Sequence, residues 1–144
     1  MARLDDGFST IITLGTTGAV KLYEKTVTPP GIDGGGPNDT TTMRNTALRT
    51  KKPKKLKTMT TMSFTAAYDP AVYSEIFDEI NVNQLITITF PDGSTLAVWG
   101  WLNAFTPNEI TEGEQPTAEA SFELSNENSA DPPVEVAPVY TAPA

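Results

Sequence analysis

The stretch LITITFPDGSTLAVWGWL, residues 85–102, decides the fold. In its first half every second residue is apolar and falls on one side of an extended chain: Ile86, Ile88 and Phe90. Pro91-Asp92-Gly93 then supplies a strong turn signal, and an apolar segment returns from Leu96 to Phe105. Because this second segment is apolar on both faces, the pattern predicts a β-hairpin whose second strand is covered on both sides.

Further strands are predicted on either side of this hairpin. Residues Thr117 to Leu124 alternate clearly, with Ala118, Ala120, Phe122 and Leu124 on one face. Residues Leu56 to Tyr68 also alternate, and their apolar face grows toward the end of the segment. Near the N-terminus, Phe8 to Leu14 and Val20 to Val27 flank a Gly-rich turn signal, which predicts a second hairpin.

One helix is predicted over about residues 70–80. Asp69 is a good N-cap, and Pro70 suits the first helical position. Five apolar residues then form one stripe that we expect to face the core: Val72, Tyr73, Ile76, Phe77 and Ile80. The order of elements predicts a mainly β fold, a two-sheet sandwich or partial barrel with one packed helix, in a single domain over residues 1–125.

The predicted core combines the apolar faces of these elements. Its members are Phe64, Ile76, Phe77, Ile86, Ile88, Phe90, Val98, Phe122 and Leu124.

Two segments lack a useful period. Residues 28–55 begin with Pro29-Pro30-Gly31 and Gly34-Gly35-Gly36-Pro37, which predict a long loop without regular structure. A loop of this length in a compact domain is usually functional or disordered. Residues 126–144 are rich in Pro and Ala, and we expect an extended or flexible tail there.

The charges are strongly segregated along the chain. The net charge is −8, yet seven of the ten basic residues fall between positions 44 and 57, without an acid among them. These are Arg44, Arg49, Lys51, Lys52, Lys54, Lys55 and Lys57. Residues 58–144 carry thirteen acids and no base. The chain therefore combines a basic segment with an acidic body.

Composition excludes several classes of site. The chain has no cysteine and no histidine, which removes thiol nucleophiles, disulfides, His-ligated zinc and Ser-His triads. Glu119 and Glu123 share a strand face about 13 Å apart, at roughly 3.3 Å per residue, which is too wide for a catalytic pair. The longest apolar run is about half the roughly 20 residues that a membrane helix needs. We expect a protein without enzymatic activity, metal, cofactor or membrane anchor.

Three interpretations of the basic segment remain open. It could contact nucleic-acid phosphates, although it lacks interleaved aromatic residues and the acidic body would repel a polyanion. It could instead pair with an acidic face of another subunit, where complementary charge speeds encounter and sets register. It could also be a solvated loop. The segregation of charge favours the second interpretation.

Several strings together resemble one family. They are TPPGIDGGG (28–36), TTMRN (41–45), AYDPAVY (67–73), ITFPDG (88–93) leading into Trp99-Gly100, and GEQPT (113–117). In this order, over about residues 8–125, they are similar to the tail tube (major tail) proteins of long-tailed bacteriophages. The resemblance implies a β-sandwich with a flanking helix. It also implies rings, usually of six subunits, stacked into a hollow tube with an often acidic channel, and a long loop that reaches an adjacent ring.

The resemblance also implies a setting. It places the chain in the virion tail, assembled in the host cytoplasm, where the tube conducts the genome during ejection without binding it specifically. Implied partners are other copies of the chain and the tail terminator, tape measure and baseplate proteins. A tail terminator or connector that forms one ring without polymerising is the alternative within phage tails, and a nucleic-acid-binding β-domain is the alternative outside them.

Roles for individual residues follow as hypotheses from charge and alternation. We expect the seven basic residues to contact a neighbouring ring. Glu119 and Glu123 are candidates for the channel wall, and Trp99 and Trp101 for core or subunit contacts. Strands that are apolar on both faces and whose edges carry no protecting charge or proline would aggregate if those edges stayed unpaired. Closure of the subunits into a ring pairs the edges.

Overall fold

The computed structural model describes residues 10–15 and 23–143, which form mainly β structure. The strands are β1 (Ile11–Leu14), β2 (Glu24–Thr28), β3 (Ile32–Asp33), β4 (Pro37–Asp39), β5 (Lys51–Pro53), β6 (Thr58–Met59), β7 (Met62–Ala67), β8 (Gln84–Thr89), β9 (Thr95–Pro107), β10 (Thr117–Leu124) and β11 (Val139–Thr141). A 3₁₀ turn, Pro70–Val72, leads into the helix α1, Tyr73–Glu79. The predicted fold class, mainly β with one flanking helix, is confirmed.

The main sheet is antiparallel, with strand order β1-β8-β9-β10-β7-β2. The 13-residue strand β9 belongs to both halves of the sheet, because its first half pairs with β8 and its second half with β10. Within the described residues the sheet is not a closed barrel, since β1 and β2 lie at its two ends. The Ile12 N–H donates to Glu24 Oε1 at 2.9 Å and ties these two ends together.

The core lies on one face of this sheet. Its buried apolar residues are Ile12, Leu14, Met62, Phe64, Ala66, Ile76, Ile86, Ile88, Val98, Leu102, Ala120 and Phe122. Phe64 and Phe122 stack within it with ring centroids 5.4 Å apart. Six of the nine predicted core residues are buried, and Phe90 and Leu124 pack against the core partly buried.

The prediction that Phe77 belongs to the core is wrong. The structure leaves Phe77 69% exposed. Asp69 caps the helical segment as expected, with Oδ1 accepting from the Ala71 N–H at 3.0 Å. The side of α1 that meets the core carries Ile76. Phe77 lies about 100° around the helix from Ile76, and Tyr73, one turn before Phe77, lies about 60° from Ile76 in the same direction. Both rings are therefore turned away from the core. The five-residue apolar stripe is therefore split between the core and the solvent.

The described parts of the predicted N-terminal hairpin each pair with another strand of the main sheet. β1 pairs with β8, with Ile12 opposite Ile88, whereas β2 pairs with β7, with Val27 opposite Phe64. Both strands have apolar neighbours in these positions. The N-terminal part of each predicted strand, and the turn between them beyond Gly15, lie outside the described residues.

The segment predicted as an irregular loop is a two-stranded arm, residues 29–60. β3 pairs with β6, and β4 pairs with β5, so the arm continues the β2–β7 ladder away from the sheet. Gly35 and Gly36 separate β3 from β4 with φ of +83° and +81°, a backbone region that suits glycine. The glycine and proline clusters thus interrupt the ladder without abolishing it.

The C-terminal segment is partly ordered on the sheet. β11 pairs with the first residues of β9, with Val139 opposite Ala97. Before it, the Val136 N–H donates to the Asn126 carbonyl at 2.8 Å, which closes a loop over residues 126–136. Of the two conformations expected for this tail, extended or flexible, residues 139–141 adopt the extended one.

Candidate assembly surfaces

The arm is exposed along its length. None of its residues is buried, and between positions 31 and 58 only Thr40, Thr41 and Asn45 are even half-buried. It carries seven bases and two acids, a net charge of +5. From Pro29 to Thr40 it spans at most roughly 35 Å, at about 3.3 Å per residue. An exposed projection of this length contributes little to its own body's core and is available to another molecule.

The structure places five of the seven predicted contact residues on one limb of the arm, and the other two, Arg44 and Arg49, at its tip. Lys51 and Lys52 lie in β5, and Lys54, Lys55 and Lys57 follow toward the body. Because neighbouring side chains of a strand point to opposite faces, β5 presents positive charge on both faces of the arm. All five lysines are exposed.

Polar hydrogen bonds organise the arm tip, residues 40–50. The Thr40 N–H donates to the Thr50 carbonyl at 2.9 Å, and the Thr50 N–H donates to Thr41 Oγ1 at 3.0 Å. Asn45 closes the turn, since its side-chain amide donates to the Leu48 carbonyl at 2.8 Å and its Oδ1 accepts from the Thr42 N–H at 3.1 Å. The tip therefore holds its shape without apolar packing.

Asp39 anchors the base of this tip. Hydrogen bonding from Thr41, through its side chain and its backbone N–H, lowers the pKa of the Asp39 carboxyl below its ordinary value. Arg49 Nη1 lies 3.8 Å from Asp39 Oδ2, and both side chains are largely exposed, so this ion pair contributes little to stability. The ionised carboxylate therefore acts mainly as a hydrogen-bond acceptor for the turn.

Two large apolar residues project from the tip without cover. Met43 is 102% exposed and Leu48 is 80% exposed. Each precedes a base in sequence, Arg44 and Arg49. Sequence reasoning missed this pair because the tip has no periodicity; two lone apolar residues in a polar segment were the available signal.

Helix α1 presents a second uncovered apolar surface. Tyr73 and Phe77 are 60% and 69% exposed, and they line a shallow depression of about 350 Å³ with Ser74 and Asp78. Glu75 is also exposed on this helix. The Tyr73/Phe77 face thus combines two aromatic rings with one carboxylate, Asp78. Glu75 lies about 160° around the helix from both rings, on the opposite side of α1.

The face of the sheet opposite the core carries a surface of hydroxyl and carboxylate groups, which we call the hydroxyl face. Strand pairing brings its members together, with Glu119 opposite both Thr65 and Thr106, and Ser121 opposite Ser63. Glu123 Oε1 accepts from Thr61 Oγ1 at 3.4 Å. Glu119 and Glu123, the two residues predicted to line a channel wall, therefore share one polar face. None of the described residues that form this face is basic. Its members are Thr26, Thr28, Ser63, Thr65, Thr106, Glu119, Ser121 and Glu123.

Trp99 and Trp101 lie on the same side, toward the other half of the sheet. They are half-buried, opposite Leu85 and Glu123 respectively. Their neighbours Val98 and Leu102 point into the core instead. Since neither tryptophan belongs to the core cluster, the prediction of a subunit contact remains open for both.

The described residues offer neither a metal site nor a membrane-spanning helix. No group of three or more His, Cys, Asp or Glu side chains there is placed to hold a metal ion. No helix among those residues has the length and apolar character needed to cross a membrane.

Comparison with known proteins gives matches in structure alone. No family model matches the chain, and no curated protein matches it in sequence. A chain of the cryo-EM structure of the anti-feeding prophage (AFP) baseplate, 6-fold symmetrised, superposes with a TM-score of 0.60 at 4% identity, over 81% of this chain and 88% of that one. A chain of the tail of an empty GTA particle, from helical refinement with C6 symmetry, superposes with a TM-score of 0.58 at 12% identity, over 95% and 98%. The chain therefore shares its fold with components of a tail and of a baseplate.

Proposed function

We propose that this protein is a structural subunit of a phage-type tail, which assembles with copies of itself into rings that stack as a hollow tube. The observation that carries the proposal is the arm. It projects a net charge of +5 from a body whose residues 61–143 hold thirteen acids and no base. A positive projection and a negative body on one chain are complementary between copies, which favours association of like subunits.

The shared fold supports the same setting. Both structural neighbours come from assemblies treated with sixfold symmetry, one described as a tail and one as a baseplate. We therefore propose six subunits per ring. A heterologous contact that closes by rotation makes a ring, and one that repeats by translation makes a stack.

In this proposal the hydroxyl face lines the channel. Glu119 and Glu123 would repel the phosphates of a passing genome, while the threonine and serine hydroxyls offer no cation for it to bind. Trp99 and Trp101, at the edge of this face, would lie at contacts between subunits of one ring. The role is structural rather than catalytic, and it requires no cofactor.

The baseplate neighbour favours a second candidate within the same class. A subunit with this fold could form one ring at the end of a tail, as a terminator or connector, without polymerising. Such a subunit would use its arm once, against a different protein, instead of against another copy.

Electron microscopy of the purified full chain tests these alternatives. Tubes with a regular axial repeat and sixfold end views support the proposed function, and isolated rings that never stack support the single-ring candidate. A monomer that retards DNA in a low-salt gel would contradict both and return the arm to nucleic-acid binding.

A further inference from the structure

The arm tip exposes two large apolar side chains as well as two cations. Met43 and Leu48 are almost fully exposed on a turn that hydrogen bonds already hold in shape. Burying them would cost little ordering entropy, because the backbone that carries them is organised in advance. Arg44 and Arg49 stand beside them, so the tip pairs two apolar side chains with two cations.

Helix α1 offers the complementary surface. Tyr73 and Phe77 lie one turn apart around the depression of about 350 Å³, with Asp78 on its rim. Two aromatic rings match two apolar side chains, and the Asp78 carboxylate on the rim offers an ion-pair partner to the guanidinium groups. Arginine also packs favourably on aromatic faces.

Topology puts these two surfaces at different ends of the molecule. The arm leaves β7 at its Met62 end, whereas the helical segment starts at Asp69, just beyond the Ala67 end of the same strand. The arm of one copy therefore points away from the start of its own helix. A contact between the two surfaces joins separate copies head to tail, so each copy can bind one neighbour through its arm and another through its helix.

Other acidic surfaces match the tip less well. The loop after β9 carries Glu109, Glu112 and Glu114 around one exposed aliphatic residue, Ile110, at 66% exposure. It lacks a second large apolar neighbour and stands on irregular backbone. Helix α1 presents two rings on a regular element that Ile76 fixes to the core.

We propose that the arm tip of one copy docks on the Tyr73/Phe77 face of α1 in a second copy, with Met43 and Leu48 against the rings and Arg44 and Arg49 beside Asp78. This inference rests on the proposed function and identifies the partner surface of the arm. Apolar burial holds the contact together, and the charges orient it.

Cross-linking on the full chain tests the docking directly, because the chain has no native cysteine. The variant Leu48→Cys/Phe77→Cys is assembled and treated with a short bis-maleimide, and its matched control is Leu48→Cys/Ile110→Cys. We expect a ladder of covalent multimers from the first variant and background dimers from the second. Each chain donates one arm and accepts another, so the ladder should extend beyond dimers.

The other outcomes separate this inference from the proposed function. A ladder from the control alone, or a cross-link within monomers of the first variant, overturns the docking site. Normal tubes in which neither variant cross-links overturn the docking site and leave the proposed function standing. If the unmodified chain forms no tubes, the proposed function fails and this inference fails with it.

A pair of charge variants provides a second test. Asp78→Lys and Glu112→Lys change the net charge equally, and both residues are exposed. We expect the helix variant to slow stacking at least tenfold, since it places a like charge against the arm, and the loop variant to stack within about twofold of the unmodified rate. Equal effects in both variants, or normal stacking in the helix variant, would rule out α1 as the acceptor.

Discussion

Phe122 and Phe77 are the same residue type in opposite surroundings. Phe122 is fully buried and stacks on Phe64, whereas Phe77 is 69% exposed on α1. We expect Phe122→Ala to lower the free energy of unfolding by about 3–5 kcal/mol, through lost burial and a residual cavity. Phe77→Ala should change it by less than about 0.5 kcal/mol. Urea denaturation below the concentration of assembly measures both, and similar losses would place Phe77 in the core after all.

Gly100 shows how closely two strands approach at one position. A Cβ there would meet the backbone carbonyl oxygen of Glu123 on β10 and would lie 3.0 Å from Leu124 Cα. Backbone cannot move aside as a side chain can, so Gly100→Ala should lower the free energy of unfolding by about 1–3 kcal/mol.

Gly34→Ala is the matched control for Gly100→Ala. A Cβ added at Gly34 would have no neighbouring atom within 4 Å, so we expect this substitution to be neutral or to stabilise by up to about 1 kcal/mol. Thermal unfolding of both variants measures the difference. A neutral Gly100→Ala would mean that β9 and β10 separate there without loss.

At the scale of elements, sequence periodicity predicted which face of each long strand is buried in the core. The faces of β7, β8, β9 and β10 were predicted correctly, because burial on one side imposes alternation on the side chains. Helix α1 was predicted from its cap and its proline, but its orientation was not. Val72, Ile76 and Ile80 compete with Tyr73 and Phe77 for the core, and the packing of the whole sheet decides between them.

The arm could not be predicted as a pair of strands for a related reason. Its ladder is built from backbone hydrogen bonds between residues such as Asn38 and Lys52, and it has no buried face to impose a pattern. The charge of the arm, by contrast, can be read directly from the sequence. The pairing of β1 with β8 could not be predicted from the sequence either, because it joins residues that lie far apart along the chain.

The positive charge of the arm resides mainly in its lysines, and it can be reversed without touching the core. Changing Lys51, Lys52, Lys54 and Lys55 to Glu should leave the fold intact, since all four are exposed, and should abolish stacking by reversing the charge of the limb. The control changes the same four lysines to Arg, which keeps the charge and should preserve stacking. Circular dichroism reports the fold and electron microscopy the stacking. Normal tubes from the Glu variant would show that the limb does not dock.

For the whole molecule, the separation of charge predicts how assembly responds to salt. A body with a surplus of acids repels other bodies, while the arms attract them, and both effects act over the Debye length. That length falls from about 10 Å to about 3 Å as ionic strength rises from about 0.1 to about 1 M. The contact that guides encounter is screened across this range, whereas apolar groups already buried at an interface are not.

We therefore expect salt to act on the formation of tubes more than on their persistence. Light scattering should show the growth rate falling at least tenfold as sodium chloride rises over this range, because electrostatic steering is lost. The rate at which preformed tubes dissociate on dilution should change less, since burial of Met43 and Leu48 continues to hold the contact. Sodium sulfate at matched ionic strength is the control, because it screens charge similarly but strengthens apolar burial, and should slow dissociation. Growth that accelerates with sodium chloride would mean that repulsion between acidic bodies, and not attraction by the arm, limits the encounter.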